Sequence, residues 1–256
     1  MRDARRRARA RDCLGREERV ELLALGRREG DLDAERQLGL AAALGEPHAR
    51  EVLGLREVWN CGKLPGCVVD LGMEGEVSGS HDPDCPLPGT YDLERWFEDL
   101  GEFGAEVAVR GALGVARRAL EWWDRLQGWG TELDEGQLVL RRRHYVTWSD
   151  EERHLRPRRL LEAVERYVLE PTEALAATAA LLPPAAEDEL PFRFLPDLVD
   201  NLCEDRSQGA PWWTVGACAS FFPEERVVRD ALRESLIPWA LGEGDPLRGI
   251  RRLAEQ

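Results

Sequence analysis

The chain has 256 residues, of which 43% are apolar, and its formal net charge at pH 7 is -14. This length and apolar content can bury one large core or two smaller ones, which excludes a wholly disordered protein. The negative charge excludes a general nucleic-acid binder, because affinity for phosphate depends on clustered positive charge that releases counterions. Basic molecules are therefore the partners that this composition favours.

The compartment follows from what the sequence lacks. No window holds 18 consecutive apolar residues, and the N-terminal sequence MRDARRRARARD has no apolar centre of the kind found in secretory signal peptides. We therefore expect a cytoplasmic protein with no membrane partner. In a reducing compartment the six cysteines are expected to be free thiols. They are Cys13, Cys61, Cys67, Cys85, Cys203 and Cys218.

Residues 1–58 are predicted to form short helical hairpins. The pattern over residues 2–28 is helical and strongly charged, with an apolar stripe on one side. Asp31 or Asp33 can cap a second helix, and Pro47 can occupy the first turn of a third, where its missing N–H costs nothing. This opening resembles the edge of an α-hairpin array.

Residues 59–91 are rich in Gly, Pro and Asp, which predicts an irregular loop or a small subdomain. Three thiols and one imidazole within this stretch could hold a tetrahedral zinc ion that stabilises a loop without a core. Their first spacing is Cys-x5-Cys instead of the usual Cys-x-x-Cys, so free thiols in a loop are the alternative interpretation. The four residues are Cys61, Cys67, His81 and Cys85. No other cofactor is predicted.

Residues 92–256 are predicted to form the main helical domain. Asp92 can cap its first helix, and residues 104–126 carry enough apolar and small side chains for a long, central helix. Residues 127–155 interrupt the helical pattern as an insertion. Within it, β-branched and aromatic residues at 137–148 predict a small hairpin.

The clearest helical pattern of the chain lies between residues 156 and 184. Pro157 fits the first turn of an amphipathic helix, and Pro171 with Thr172 ends that helix and opens a second one. The predicted polar face of the first helix carries Arg159, Glu162 and Glu165. Further helices are expected to begin near Pro196, Pro211 and Pro223. Together these patterns predict an all-α fold, a multi-helix bundle or α-hairpin array of about ten helices.

The common catalytic motifs are absent from the sequence. Lys63, which a phosphate-binding P-loop would need before Ser or Thr, is followed by leucine. There is no Gly-x-Ser-x-Gly, His-Glu-x-x-His or Gly-x-Gly-x-x-Gly motif either. The four histidines are scattered and are expected to be surface imidazoles. We therefore predict a protein without enzymatic activity and without catalytic residues.

Two tryptophan pairs and one acidic cluster are the candidate partner-binding residues. Adjacent helical positions differ by about 100° in direction, so both members of a tryptophan pair cannot face the same core. One member of each pair is expected at a helix boundary or in a groove, where it could anchor a partner. A wide apolar helix face that packs between two neighbouring helices is the alternative interpretation. The candidates are Trp122, Trp123, Trp212, Trp213, Glu187, Asp188 and Glu189.

Three parts of the chain carry a family resemblance. They read GRREGDLDAERQLGLAAALGEPHAREVLGL near the N-terminus, AVRGALGVARRALEWW with RPRRLLEAVERYVLEPTEALAATAA in the middle, and LIPWALGEGDPLR near the C-terminus. In texture and order they resemble an uncharacterised all-helical family whose members are often labelled immunity proteins. The resemblance implies a helical fold and no catalytic residues. Relative to that family, the stretch between the two middle segments is an insertion.

Three functions follow as hypotheses. The first is a non-enzymatic protein-binding helical protein, an immunity protein that neutralises a basic toxin by covering it with an acidic surface. The second is a helical scaffold or adaptor whose N-terminal hairpins dock another protein. The third is a zinc-dependent enzyme that uses the Cys61, Cys67, His81 and Cys85 cluster.

Overall fold

The structure is a computed structural model. It describes residues 14–54, 57–60, 68–71, 77–80, 93–127, 151–181, 192–222 and 224–250. Ten helices account for most of these residues, which confirms the predicted all-α class. The first five are α1 Arg16–Arg28, α2 Leu32–Ala43, α3 Pro47–Val52, α4 Leu93–Gly101 and α5 Ala105–Gln127. The other five are α6 Glu151–Leu169, α7 Glu173–Leu181, α8 Asp197–Cys203, α9 Ala210–Ala219 and α10 Glu225–Ala240.

A small sheet lies where the sequence predicts an irregular loop. Its three strands, β1 Glu57–Asn60, β2 Val68–Leu71 and β3 Val77–Ser80, are antiparallel and follow one another in chain order. Each strand has only four residues, so alternation within one strand is too short to stand out from the surrounding glycines and prolines. The predicted hairpin at residues 137–148 lies outside the described residues.

The chain divides into two compact units. The first comprises Met1–Asp92 together with Arg233–Pro246, and the second comprises Leu93–Leu232 together with Leu247–Gln256. The sequence alone predicts boundaries only after residues 58 and 91. It gives no sign that a short segment near the C-terminus belongs with the N-terminal hairpins.

Arginine side chains of α1 attach the segment Arg233–Pro246 within the first unit. Arg16 makes a two-pronged contact with the carboxylate of Glu243, at 2.6 and 2.8 Å. Arg19, which is buried, donates to the backbone carbonyl of Gly242. The hydrogen bond from Arg16 is the main cause of the lowered pKa of Glu243. Charge-assisted bonds of this kind hold the returning segment in a defined position.

The ends of α2 and α3 carry the signals that the sequence predicts. Of the two candidate caps, Asp31 caps α2, since its carboxylate accepts bonds from backbone N–H groups two and three residues later, at 3.0 and 3.2 Å. Pro47 lies in the first turn of α3, as expected. Beyond the C-terminal end of α2, Arg233 donates to the carbonyl of Leu44 at 3.0 Å.

In the second unit, α5 is the helix around which four others pack. Helices α4, α6, α8 and α9 all contact it. Its buried side chains cover more than half of its circumference, which is typical of a core helix. Those with no more than 1% of their surface exposed are Val107, Ala108, Val109, Ala112, Leu113, Val115, Ala116, Ala119 and Trp123. The prediction of a long, central helix over residues 104–126 therefore matches α5 closely.

A buried ion pair joins α5 to α6. The guanidinium of Arg117 lies 2.5 Å from each carboxylate oxygen of Glu165, and the carboxylate has no exposed surface. The sequence predicts Glu165 on a solvated face, together with Glu162, but both are buried. The amphipathic pattern fails here because a cation from a neighbouring helix compensates the buried charge.

Pro157 does not lie in the first turn of its helix. Helix α6 begins six residues earlier, at Glu151, so the proline lies inside it and cannot donate to the carbonyl of residue 153. The sequence signal is misleading because a proline at the seventh helical position and one at the first look alike when the preceding residues are polar. Residues 151–155, predicted as the end of the insertion, are therefore helical.

Within the described ranges, none of the helices has both the length and the apolar character that crossing a membrane requires.

The Arg117 and Glu165 pair generates the first prediction. Substitution Arg117→Ala takes the guanidinium away from a carboxylate that has no contact with water, and it should lower the free energy of unfolding by about 3 kcal/mol in urea titrations. Arg118→Ala is the matched control, because Arg118 is exposed to a similar extent but pairs with Glu121, whose carboxylate is open to water, and it should cost no more than about 1 kcal/mol.

The double variant Arg117→Ala/Glu165→Leu should recover part of the lost stability, because it removes the buried charge as well. Equal losses for Arg117→Ala and Arg118→Ala would show that the pair adds nothing beyond a surface ion pair.

Candidate protein-binding surface

The first tryptophan pair is used mainly in the core. Trp123 is fully buried and packs against Phe192 and Phe221, with ring centroids 5.7 and 6.5 Å apart. Its neighbour Trp122 is half-buried and meets Phe222 edge to face at 6.0 Å. Trp123 therefore has no surface with which to contact a partner. These aromatic contacts fix α5 against the segment that precedes α8 and the segment that follows α9.

The two tryptophans of the second pair, on α9, point in different directions, as the 100° offset between adjacent helical positions requires. Trp212 is half-buried, with its ring 6.0 Å from that of Phe97 on α4. Trp213 has 53% of its surface exposed. The inward face of α9 carries Thr214, Val215 and Cys218, so Trp213 lies on the outward side of the helix.

Trp213 is not isolated on the surface. Its ring centroid lies 5.6 Å from that of Phe194, a half-buried residue in the turn that precedes α8. The guanidinium of Arg193, an exposed residue, lies 5.8 Å from the same phenylalanine ring. In that turn Phe192 faces the core while Phe194 faces α9, so the aromatic core and the exposed pair are built from the same short segment.

The exposed side of α8 is acidic. Asp197, Asp200 and Glu204 recur at spacings of three and four residues, which places them on one face, and all three are exposed. The pKa of Asp197 is raised, first by partial burial and then by the neighbouring Asp200 carboxylate, while Arg193 opposes the shift. We call Arg193, Phe194, Asp197, Asp200 and Trp213 together the aromatic–acidic surface.

The loop between α8 and α9 is held by side-chain bonds. The amide of Asn201 donates to the carbonyls of Arg206 and Gln208, at 3.1 and 2.5 Å. Asp205 and Gly209 have φ values of 52° and 87°, so the chain turns through two left-handed positions. Because Asn201 is buried in α8, this network ties the end of α8, which carries the acids, to the start of α9, which carries Trp213.

Both cysteines in the described part of the chain are free thiols, as the sequence predicts. Cys218 is fully buried, and burial raises the pKa of its thiol, which makes it inert. Cys203 is exposed, and its sulfur lies 2.9 Å from the Tyr167 hydroxyl. That hydrogen bond is the main cause of the raised pKa of Tyr167.

Several predicted site residues lie outside the described residues. These include all four predicted zinc ligands, Cys61, Cys67, His81 and Cys85, and the acidic cluster Glu187, Asp188 and Glu189. Over the ranges that the structure does describe, no group of three or more His, Cys, Asp or Glu side chains is arranged to hold a metal ion. The zinc site and the zinc-dependent enzyme stay predictions.

His48 on α3 lies between two carboxylates. Its Nε2 is 3.2 Å from an oxygen of Glu21 on α1, and its Nδ1 is 3.4 Å from an oxygen of Glu51. Burial disfavours the charged imidazolium, but the hydrogen bonds to Glu51 and Glu21 outweigh it, so the pKa of His48 is raised. The imidazole therefore links α1 to α3 through its contact with Glu21.

The sequence identifies the tryptophan pairs but misses most of the aromatic–acidic surface. Phenylalanine is common in protein cores, and acids are common in the first turn of a helix, so neither Phe194 nor Asp197 and Asp200 are marked as surface-binding residues by their type. The spacing of the acids was the available signal. It could not show that Trp213, 16 residues away from Asp197, lies beside Phe194.

Comparisons of the chain with protein-family models, with curated proteins and with solved structures found no match.

The position of His48 predicts a pH-dependent contribution to stability. Its pKa is higher in the folded than in the unfolded protein, so its contribution is fully present below the unfolded value and is lost as the pH rises through the folded value. We expect the stability difference between wild type and His48→Gln, of no more than about 1 kcal/mol, to shrink as the pH rises from about 6 to 8. Urea titrations at several pH values measure it, and a difference that stays constant or grows would contradict the interpretation.

Proposed function

We propose that this protein is a non-enzymatic binding protein that recognises another protein, and that it acts in the cytoplasm as an immunity protein that neutralises a basic toxin. The observation that carries the proposal is the exposure of Trp213 beside Phe194 on a surface whose two helices are tied together by the Asn201 network. The acidic character of the chain supports the choice of a basic partner.

Exposed tryptophan is unusual because its large apolar ring gains most when it leaves water. Four large apolar side chains are seen to be exposed in the part of the chain whose burial is described, and Trp213 is aromatic while the other three are leucines. Tryptophan is also the residue type that most often dominates the binding energy of protein interfaces. A partner that covers this ring would therefore gain affinity from a side chain that the fold itself leaves uncovered.

The charge of -14 supports recognition of a basic partner through long-range attraction. Complementary charge mainly accelerates association and selects among partners, while the aromatic contact slows dissociation. A toxin must be captured quickly and held tightly, so the two properties together suit an immunity protein. The resemblance to a family labelled in that way points in the same direction.

A second candidate function, a scaffold or adaptor, is favoured by a different observation. Three leucines on the α1–α2 hairpin are exposed, and Leu32 has 76% of its surface in contact with solvent. The other two are Leu22 and Leu25. Apolar docking at this hairpin would be nearly insensitive to ionic strength, whereas electrostatic capture of a toxin should slow steeply as salt is added.

The proposed function predicts a partner whose binding depends on Trp213. Affinity capture from the native cells with wild type and with Trp213→Ala should yield a protein that only the wild type retains. With the purified partner, Trp213→Ala should weaken binding by about thirtyfold or more, the equivalent of about 2 kcal/mol for an interface tryptophan.

Leu25→Ala is the matched control, because Leu25 is similarly exposed on another helix, and it should bind the partner as wild type does. If the partner is a toxin, co-expression of wild type should restore growth of cells producing it, and Trp213→Ala should not. A partner lost by Leu25→Ala and kept by Trp213→Ala would favour the scaffold. Failure to retain any partner would contradict both functions.

A further inference from the structure

The aromatic–acidic surface suggests the chemistry of the group that it binds. We infer that the partner inserts arginine side chains here, with one guanidinium stacked on Trp213 and a second paired with Asp197 and Asp200. This inference rests on the proposed protein-binding function and adds the kind of residue that the partner must present.

The surface is continuous through contacts within one unit of the fold. Trp213 meets Phe194 at 5.6 Å, and Arg193 lies 5.8 Å from the ring of Phe194. Asp197 follows Phe194 by three residues and Asp200 by six, and both are exposed, so the carboxylates and Phe194 belong to one short surface segment. An elongated basic segment could therefore contact the ring and the acids at the same time.

The exposed charges of the segment that carries this surface are mostly negative. Between residues 193 and 206 the exposed charged side chains are four carboxylates and two guanidiniums. Arg206 pairs with Glu204 at 2.7 Å, while Asp197 and Asp200 repel each other with Arg193 as the compensating charge. A further cation would relieve that repulsion, so charge complementarity selects a basic occupant over an acidic or neutral one.

Arginine suits this surface better than lysine for two physical reasons. The planar guanidinium stacks on aromatic rings and sheds its hydration more easily than an ammonium group does. It can also donate two parallel hydrogen bonds to one carboxylate. The fold already uses arginine in this way, since the guanidinium of Arg229 lies 5.0 Å from the ring centroid of Trp96.

The experiment uses two labelled peptides, octa-arginine and octa-lysine, and measures their binding to the full chain by fluorescence anisotropy at low and at physiological salt. Octa-arginine should bind wild type at least about threefold more tightly than octa-lysine does. Asp197→Asn/Asp200→Asn and Trp213→Ala should each weaken octa-arginine binding by about tenfold.

A charge-matched variant distinguishes binding at this surface from general electrostatic attraction to an acidic protein. Glu17→Gln/Glu29→Gln also removes two negative charges, at exposed positions of the other unit, and it should change octa-arginine binding by less than about twofold. The inference would be overturned if the two double variants lost octa-arginine binding equally or if the two peptides bound with equal affinity. It would also be overturned if spermidine displaced the labelled octa-arginine as effectively as unlabelled octa-arginine does. An absence of octa-arginine binding would overturn it as well.

The result stays interpretable if a double variant folds poorly. The indole N–H resonance of Trp213, assigned by its loss in Trp213→Phe, should shift when octa-arginine is added to wild type, and an unshifted resonance contradicts the inference. The proposed function is tested separately by the captured partner. If that partner depends on Trp213 and binds Asp197→Asn/Asp200→Asn normally, the protein-binding function stands and the arginine inference fails.

Discussion

The second unit depends on the burial of more than half of the circumference of α5. An apolar face this wide cannot be stable in water unless neighbours cover it, and here four helices do so. Each covering helix is thereby fixed in rotation as well as in position. The orientation of α9 follows, because Thr214, Val215 and Cys218 face inward and the following turn contributes Phe221 to the ring cluster around Trp123. The exposure of Trp213 is thus a consequence of how the core is packed.

The same constraint explains the buried ion pair. A helix that packs tightly against α5 brings one carboxylate of its own into the interface, and Arg117 compensates that charge from α5 itself. An apolar pair would pack at least as stably in many proteins, so the ion pair matters mainly because neither partner can be removed alone without leaving the other charge uncompensated. The buried pair and the buried rings therefore hold α6 and α9 in place around the same central helix.

The sequence predicts the helices well because their signals are local. Asp31 and Pro47 mark helix starts through their own backbone chemistry, and the long apolar stretch at 104–126 needs no neighbour to be recognised. Glu165 and Pro157 mislead for the opposite reason, since burial and helix extension are decided by other parts of the chain. The candidate surface is only partly predictable, because its contact between Phe194 and Trp213 depends on how α8 and α9 pack.

Pro157 limits how far the first turn of α6 is coupled to the rest of the helix. One of the backbone hydrogen bonds across this position, from residue 157 to the carbonyl of residue 153, is missing because proline has no N–H. Residues 151–153 can consequently unwind without breaking any backbone hydrogen bond donated from beyond the proline. Unwinding that begins at this end can therefore stop at the proline and leave the turns around Glu165 intact.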